Sequence, residues 1–152
     1  MRMSRSLRKI QAATVIRWED LPESERSQVL EVGQMALEVL QAKGFAPTDE
    51  HIIVRGVSGS LAYGCKDAFF DYDLVIFFDC NMPTNINIRE YAWLRRRLIL
   101  TAMKVTDLTR KLDLYLLNIN QGFEVQNKVP FFYDFASQRY FDTPAELISY
   151  AN

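Results

Sequence analysis

The stretch from Gly56 to Asp79, GVSGSLAYGCKDAFFDYDLVIFFD, contains the end of one apolar segment, a turn of small residues and the whole of a second apolar segment. The first segment, residues 51–57, is rich in β-branched side chains and predicts a strand. The second, residues 71–79, has a continuously apolar interior and predicts a buried strand. The turn between them, residues 58–64, includes two glycines. Two strands flanking this turn therefore form the centre of the predicted fold.

Helical patterns and a third strand surround this centre. Residues 22–43 carry apolar side chains at nearly helical spacing and precede Gly44, which suits a helix C-terminus. Asn87 and Glu90 resemble a capping box that opens a second helix. This second helix is predicted to span 87–105 and to have one apolar face, formed by Tyr91, Leu94, Leu98, Ala102 and Val105. A strand is predicted at 112–117, and Thr143 and Pro144 are predicted to start a short final helix. This order predicts an α+β fold, a small mixed β-sheet flanked by helices.

Length and charge limit the function classes. The 152 residues are predicted to form a single domain, 1–152, in which residues 1–20 are a basic N-terminal arm and residues 51–117 are the core. The net charge of -1 argues against a general affinity for nucleic acid, although the arm and the arginines at 95–97 leave a nucleic-acid-binding module as one alternative. The absence of a long apolar stretch and of a secretory signal predicts a cytoplasmic protein with no membrane contact.

The single histidine and the two cysteines offer little for nucleophilic catalysis. Cys65 and Cys80 have neither zinc-site spacing nor a disulfide framework. His51 opens an apolar segment, where a structural role is favoured over a catalytic one. Chemistry in this chain is therefore expected to use carboxylates, Lys, Tyr or a metal ion.

Two aspartates at the start of the second strand are the first candidate site residues. Asp71 and Asp73 are two positions apart, so in a strand their side chains leave the same face, with Cα atoms roughly 7 Å apart. Carboxylates held in this way repel one another unless a cation lies between them. A hard divalent ion with oxygen ligands, usually Mg²⁺ beside phosphates, fits this arrangement, and a solvated strand start is the alternative.

A turn and a third carboxylate complete the candidate site. Gly59 and Ser60 follow the first strand directly, and such a turn exposes backbone N–H groups that can cradle phosphate oxygens. Asp113 lies in an otherwise apolar strand, where an unpaired carboxylate is costly to bury. A metal shared with the paired aspartates would stabilise it; the alternatives are an edge-strand position facing water and a salt bridge to Arg110 or Lys111.

Together these features resemble the DNA-polymerase-β-like nucleotidyltransferase superfamily. Gly-Ser, ten residues, Asp-Tyr-Asp and a later carboxylate on a strand match its motif, and Gly-Ser-x-Ala-Tyr-Gly at 59–64 is similar to the minimal nucleotidyltransferases of bacteria. The resemblance covers roughly 51–117 and implies a polymerase-β palm-like fold. It implies that Gly59 and Ser60 hold the triphosphate, that Asp71, Asp73 and Asp113 bind two Mg²⁺ ions, and that Asp113 also helps to activate the attacking hydroxyl.

The activity implied by the resemblance is transfer of a nucleoside monophosphate from an NTP, with ATP as the expected donor. The acceptor is a hydroxyl of a protein, a small molecule or an RNA end, and the sequence does not specify it or the oligomeric state. Many small members have arginine after Gly-Ser, where this chain has Leu61, and Lys66 or Arg55 is a candidate replacement. Phe70, which is often serine in the family, suits core packing or base stacking. A catalytically inactive nucleotide-binding or regulatory domain is therefore the alternative function, and a partner protein is a candidate source of a helical domain.

Overall fold

The computed structural model of the protein describes residues 15–65, 70–121 and 131–152. Within these ranges it contains four α-helices, five β-strands and two short 3-10 helices. The α-helices are α1 (Glu23–Ala42), α2 (Ser60–Tyr63), α3 (Ile88–Met103) and α4 (Pro144–Ala151); the strands are β1 (Ile52–Ser58), β2 (Tyr72–Phe78), β3 (Leu112–Asn118), β4 (Phe132–Asp134) and β5 (Arg139–Phe141); the 3-10 helices are Trp18–Asp20 and Asp49–His51. The helices in these three ranges are all too short or too polar to bridge a lipid bilayer.

The five strands form one mixed sheet in the order β3-β2-β1-β4-β5. β1 pairs antiparallel with both β2 and β4, β4 pairs antiparallel with β5, and β2 pairs parallel with β3. The parallel pair is joined through α3, because parallel neighbours need a long crossover connection. The predicted α+β class with a small mixed sheet is confirmed.

The local signals at the helix ends have the expected structural basis. Asn87 lies at the N-cap of α3, and its side-chain oxygen accepts hydrogen bonds from the backbone N–H groups of Arg89 and Glu90. Gly44, just beyond α1, has a φ of 76°, the left-handed conformation that favours glycine after a helix. The prediction that Val105 lies on the buried face of the second helix is wrong: α3 ends at Met103, and Val105 is 89% exposed.

Apolar residues cover both faces of the sheet. On one face, α1 and α3 pack against side chains of β2 and β3 such as Leu74, Ile76 and Leu114. On the other face, a smaller cluster joins Val75 to the aromatic C-terminal region and α4; its buried members are Val54, Val75, Phe77, Ile119, Phe131, Phe132, Phe141 and Leu147. The aromatic tail thus contributes two strands that the sequence pattern did not predict, because each has only three residues.

The predicted N-terminal arm is shorter than expected within the described residues. Residues 1–14, most of that arm, lie outside the described ranges. Ile16 exchanges two backbone hydrogen bonds with Cys65, at 2.7 and 2.8 Å. Trp18 is buried, and its ring centroid lies 5.1 Å from that of Phe135. Residues 16–18 of the predicted arm are therefore attached to the folded domain, and residues 1–14 lie outside the described residues.

Candidate functional site

Three polar residues from adjacent strands lie in one row across the sheet. Asp73 of β2 is paired with Ser58 of β1 on one side and with Asp113 of β3 on the other. Residues paired on neighbouring strands point to the same face, and neighbouring strands lie roughly 4.8 Å apart. The side chains of Asp73 and Asp113, which are 40 positions apart in the sequence, are therefore neighbours on one face of the sheet.

The turn after β1 faces this carboxylate row. Gly59 has a φ of 69°, and a Cβ atom added to it would lie 2.5 Å from Oδ2 of Asp73. Any other residue would thus be strained by its backbone and would also clash with the carboxylate. Ser60 follows as the first residue of α2. The Asp73 carboxylate therefore lies directly against the backbone of the glycine-serine turn.

An open cavity of about 510 Å³ lies over the turn and the start of β2. Its lining residues are Gly59, Ser60, Tyr63, Phe70, Asp71, Asp73, Thr109 and Arg110. Asp71 is exposed at the mouth, Asp73 is half-buried, and Asp113 lies beside Asp73 without lining the cavity. Four of the five predicted site residues thus share one cavity, and the fifth adjoins it.

The carboxylates repel one another. Burial, followed by the negative charges of Asp113 and Asp71, raises the pKa of Asp73 to about 6, and Lys111 partly opposes the rise. Lys111 Nζ lies 3.5 Å from Oδ2 of Asp113 at the surface, so the salt bridge considered as an alternative to a metal ligand role for Asp113 is present beside the site. Among the described residues, Asp71, Asp73 and Asp113 do not form a group whose ligand oxygens all lie within 4.8 Å of one another. The three aspartates are near one another but do not converge on one point.

A buried tyrosine positions the start of β2. Tyr72, between the two aspartates, points to the opposite face of the sheet, where it is 2% exposed. Its hydroxyl donates a 2.7 Å hydrogen bond to Oε2 of Glu25 in α1. Burial and this carboxylate raise the pKa of Tyr72, so the hydroxyl keeps its proton. Because Tyr72 is tied to α1, the aspartates on either side of it are held at the cavity.

Arg110 lines the cavity, although the sequence pattern did not assign it to phosphate binding. Its guanidinium carbon is 4.2 Å from the centroid of the Phe70 ring. Phe70 itself is 7% exposed and packs at 5.7 Å against Tyr72, so its packing role is the one the structure shows. The role of Arg110 depends on the parallel pairing of β2 and β3, which no local pattern in the sequence reveals.

The other candidate cations are placed differently. Arg55 is paired with Ile76, which points to the face opposite Asp73, so Arg55 does not reach the carboxylate row. Leu61, at the position where many members of the suggested family have arginine, is fully buried in the core. Lys66 lies outside the described residues. Of the positive charges weighed from the sequence that fall within the described residues, Arg110 is therefore the one that lines the cavity.

Comparisons with known proteins assign no family to the chain. No protein-family model matches it. No curated protein matches it, and neither does any solved structure. Interpretation of the cavity therefore depends on the contacts and charges of its own residues.

Proposed function

We propose that the protein is a nucleotidyltransferase that transfers a nucleoside monophosphate from an NTP, with ATP as the expected donor, to a hydroxyl acceptor and releases pyrophosphate. One observation carries the proposal. Asp73 lies in register with Asp113 on the adjacent parallel strand, and its carboxylate lies directly against Gly59. Metal-binding carboxylates and a phosphate-binding turn must be adjacent in such an enzyme, because a metal ion held by the carboxylates would supply charge stabilisation to the phosphates.

The turn and Arg110 would hold the triphosphate. The missing side chain at Gly59 makes room for the Asp73 carboxylate, so the turn and this carboxylate lie together, and Gly59 and Ser60 both line the cavity. Arg110 adds a guanidinium, which is always charged and matches phosphate oxygens in bidentate geometry. Arg110 would thereby replace the arginine that many members of the resembled family have where this chain has Leu61. The proposed donor is therefore held by one turn and one cation.

The carboxylates suit Mg²⁺. Their donors are all oxygen, the ligand type that Mg²⁺ prefers. Burial, followed by the negative charges of Asp113 and Asp71, raises the pKa of Asp73, and a bound divalent cation would favour its charged form. Asp71, Asp73 and Asp113 would hold the ion or ions, and two are expected from the family resemblance. When bound, Mg²⁺ would supply charge stabilisation for the phosphates, and the family resemblance implies that Asp113 would also help to activate the attacking hydroxyl.

A catalytically inactive nucleotide-binding or regulatory domain on the same fold is the second candidate. Two observations favour it: the three aspartates do not converge within 4.8 Å, and Leu61 is a core residue with no charge to offer. Such a domain would bind NTP and Mg²⁺ without breaking the bond between the α- and β-phosphates. Binding and pyrophosphate release together therefore distinguish the two functions.

The deciding experiment incubates the protein with each labelled NTP and Mg²⁺, alone and with cell extract. We expect pyrophosphate release and transfer of label to an acceptor, both abolished by EDTA and by Asp73→Asn. Asp142→Asn is the matched control, because Asp142 is an exposed aspartate that does not line the cavity. Nucleotide binding without release under any condition would support the inactive domain. If the protein shows neither nucleotide binding nor pyrophosphate release, both proposals are refuted.

A further inference from the structure

A second cluster of metal-binding residue types lies at the opposite end of the sheet. Because β1 and β2 are antiparallel, the start of β1 meets the end of β2, and Asp79 donates a 2.9 Å backbone hydrogen bond to the carbonyl of His51. Asp79 lies six positions after Asp73, a distance of about 20 Å at roughly 3.3 Å per residue. This cluster is therefore separate from the proposed nucleotide site.

Three side chains converge in this cluster. Nδ1 of His51 lies 2.9 Å from Oδ1 of Asp79. One ligand atom from each of His51, Asp79 and Cys80 lies within 4.8 Å of the other two. In a tetrahedral zinc site with bonds of about 2.0–2.1 Å to N and O, those atoms lie about 3.3 Å apart, and the longer bond to sulfur widens the distances to it. Small side-chain movements would thus bring all three donors to an ion.

We propose that His51, Asp79 and Cys80 form a binding site for a transition-metal ion of the Zn²⁺ class. The donor set contains one imidazole nitrogen, one carboxylate oxygen and one sulfur, a combination that suits Zn²⁺ and not Mg²⁺, which takes oxygen ligands. Three protein ligands leave a fourth tetrahedral position for water or an external ligand. The side chains of His51 and Asp79 are 42% and 51% exposed, so that position opens to solvent.

A neighbouring carboxylate lies near the second imidazole nitrogen, although it is too far away for a hydrogen bond in this structure. Oε1 of Glu50 lies 3.7 Å from Nε2 of His51, on the nitrogen that does not face Asp79. Metal-bound histidines usually donate their second N–H to a carboxylate or carbonyl, which fixes the ring. The simpler account of the same contacts is a surface hydrogen bond between His51 and Asp79, with Cys80 beside it by chance. That account gives no reason for a metal ion to bind.

Cobalt and zinc titrations separate the two accounts. Co²⁺ added to the full chain without nucleotide should give a saturable thiolate-to-cobalt charge-transfer absorption at one ion per chain. We expect Cys80→Ser to abolish this band and Asp79→Asn to weaken it, while Cys65→Ser keeps it. Absence of the band in the parent, or an equal band in Cys80→Ser, would overturn the proposal.

A footprint on the unmodified protein makes the test independent of whether a variant folds. Zn²⁺ should slow alkylation of Cys80 by iodoacetamide at least tenfold while leaving the rate at Cys65 unchanged, as measured by mass spectrometry of peptides. Equal rates with and without Zn²⁺ would refute the site. Because no nucleotide is present, a negative result in this test does not bear on the proposed nucleotidyl transfer. Equally, a negative result in the transfer assay does not bear on this metal site.

Discussion

Replacing Asp73 by Asn should raise the stability of the protein and lower its proposed activity, so this substitution tests the two effects of the carboxylate separately. The amide has nearly the same shape as the carboxylate, so it should fit against Gly59, but it carries no charge next to Asp71 and Asp113. Burial and the charges of Asp113 and Asp71 are the causes that raise the pKa of Asp73, so the substitution removes a charge that is disfavoured where it lies. We expect the variant to be more stable than the parent in EDTA at neutral pH and to lose nucleotidyl transfer by several orders of magnitude.

The magnitude follows from the pKa of Asp73. A rise from 3.8 to about 6 corresponds to about 3 kcal/mol, since a tenfold change in proton binding is about 1.4 kcal/mol. The side chain is only half-buried, so screening by solvent reduces this to about 1.5 kcal/mol. For a chain of this length that is an increase in Tm of about 3–6 °C.

The sign of the pH dependence is fixed by linkage. Because the folded protein holds the Asp73 proton more tightly than the unfolded chain does, the parent loses stability as pH rises from about 4 to about 6. The stability of Asp73→Asn does not fall in this way, because the amide does not ionise. The two proteins should therefore melt together near pH 4 and differ most above pH 6.

The assay is a set of thermal melts from pH 4 to 8, with EDTA or Mg²⁺, together with pyrophosphate release. Mg²⁺ should raise the Tm of the parent, and of the Asp142→Asn control, more than that of Asp73→Asn. If Asp73→Asn melts well below the parent in EDTA at pH 7, the carboxylate is a structural partner and the repulsion argument fails. If Mg²⁺ stabilises both proteins equally, Asp73 does not bind it.

Three further substitutions test other parts of the fold and site. Gly59→Ala should lower stability by about 1–3 kcal/mol, because φ is 69° and the new Cβ meets Asp73, and a Tm within 1 °C of the parent would contradict this. Arg110→Gln should weaken NTP binding at least tenfold in a fluorescent-nucleotide titration with little change in Tm, whereas unchanged affinity would remove Arg110 from the phosphate site. Asn87→Ala should cost about 1 kcal/mol, or about 2–4 °C in Tm, through loss of the α3 cap, with unchanged pyrophosphate release; a loss of activity in the folded variant would show that α3 does more than support β3.

Local patterns were sufficient for the centre of the fold. β-Branched and apolar segments identified β1, β2 and β3, because each of these strands has seven residues and a distinct pattern. The two-residue spacing of Asp71 and Asp73 predicted that both lie on one face of a strand; β2 begins at Tyr72, so Asp71 directly precedes it, and both aspartates line the cavity. The prediction that Asp113 shares that face followed from the family resemblance, and the parallel register of β2 and β3 supplies its physical basis.

Features that depend on long-range pairing were not predictable from local patterns. β4 and β5 have three residues each, too few for a periodic signal, and their pairing with β1 defines their place. Arg110 reaches Phe70 only because β3 lies beside β2. His51 and Asp79 are 28 positions apart and meet through the antiparallel register, so the spacing of the cysteines alone gave no sign of a metal site.

The order of the strands divides the proposed nucleotide site into parts of unequal mobility. β1, which leads into the turn at Gly59, is central and is paired on both sides, whereas β3, which carries Asp113, is a terminal strand of the sheet. Terminal strands open at lower free energy than central ones, since fewer hydrogen bonds must break. Leu112, Leu114 and Leu116 anchor β3 in the core, so warming should loosen the pairing at Asp113 locally and leave the pairing of β1 with its neighbours in place. The proposed transfer activity would then fall at a temperature at which the turn at Gly59, Asp73 and the bulk of the helix content are still intact.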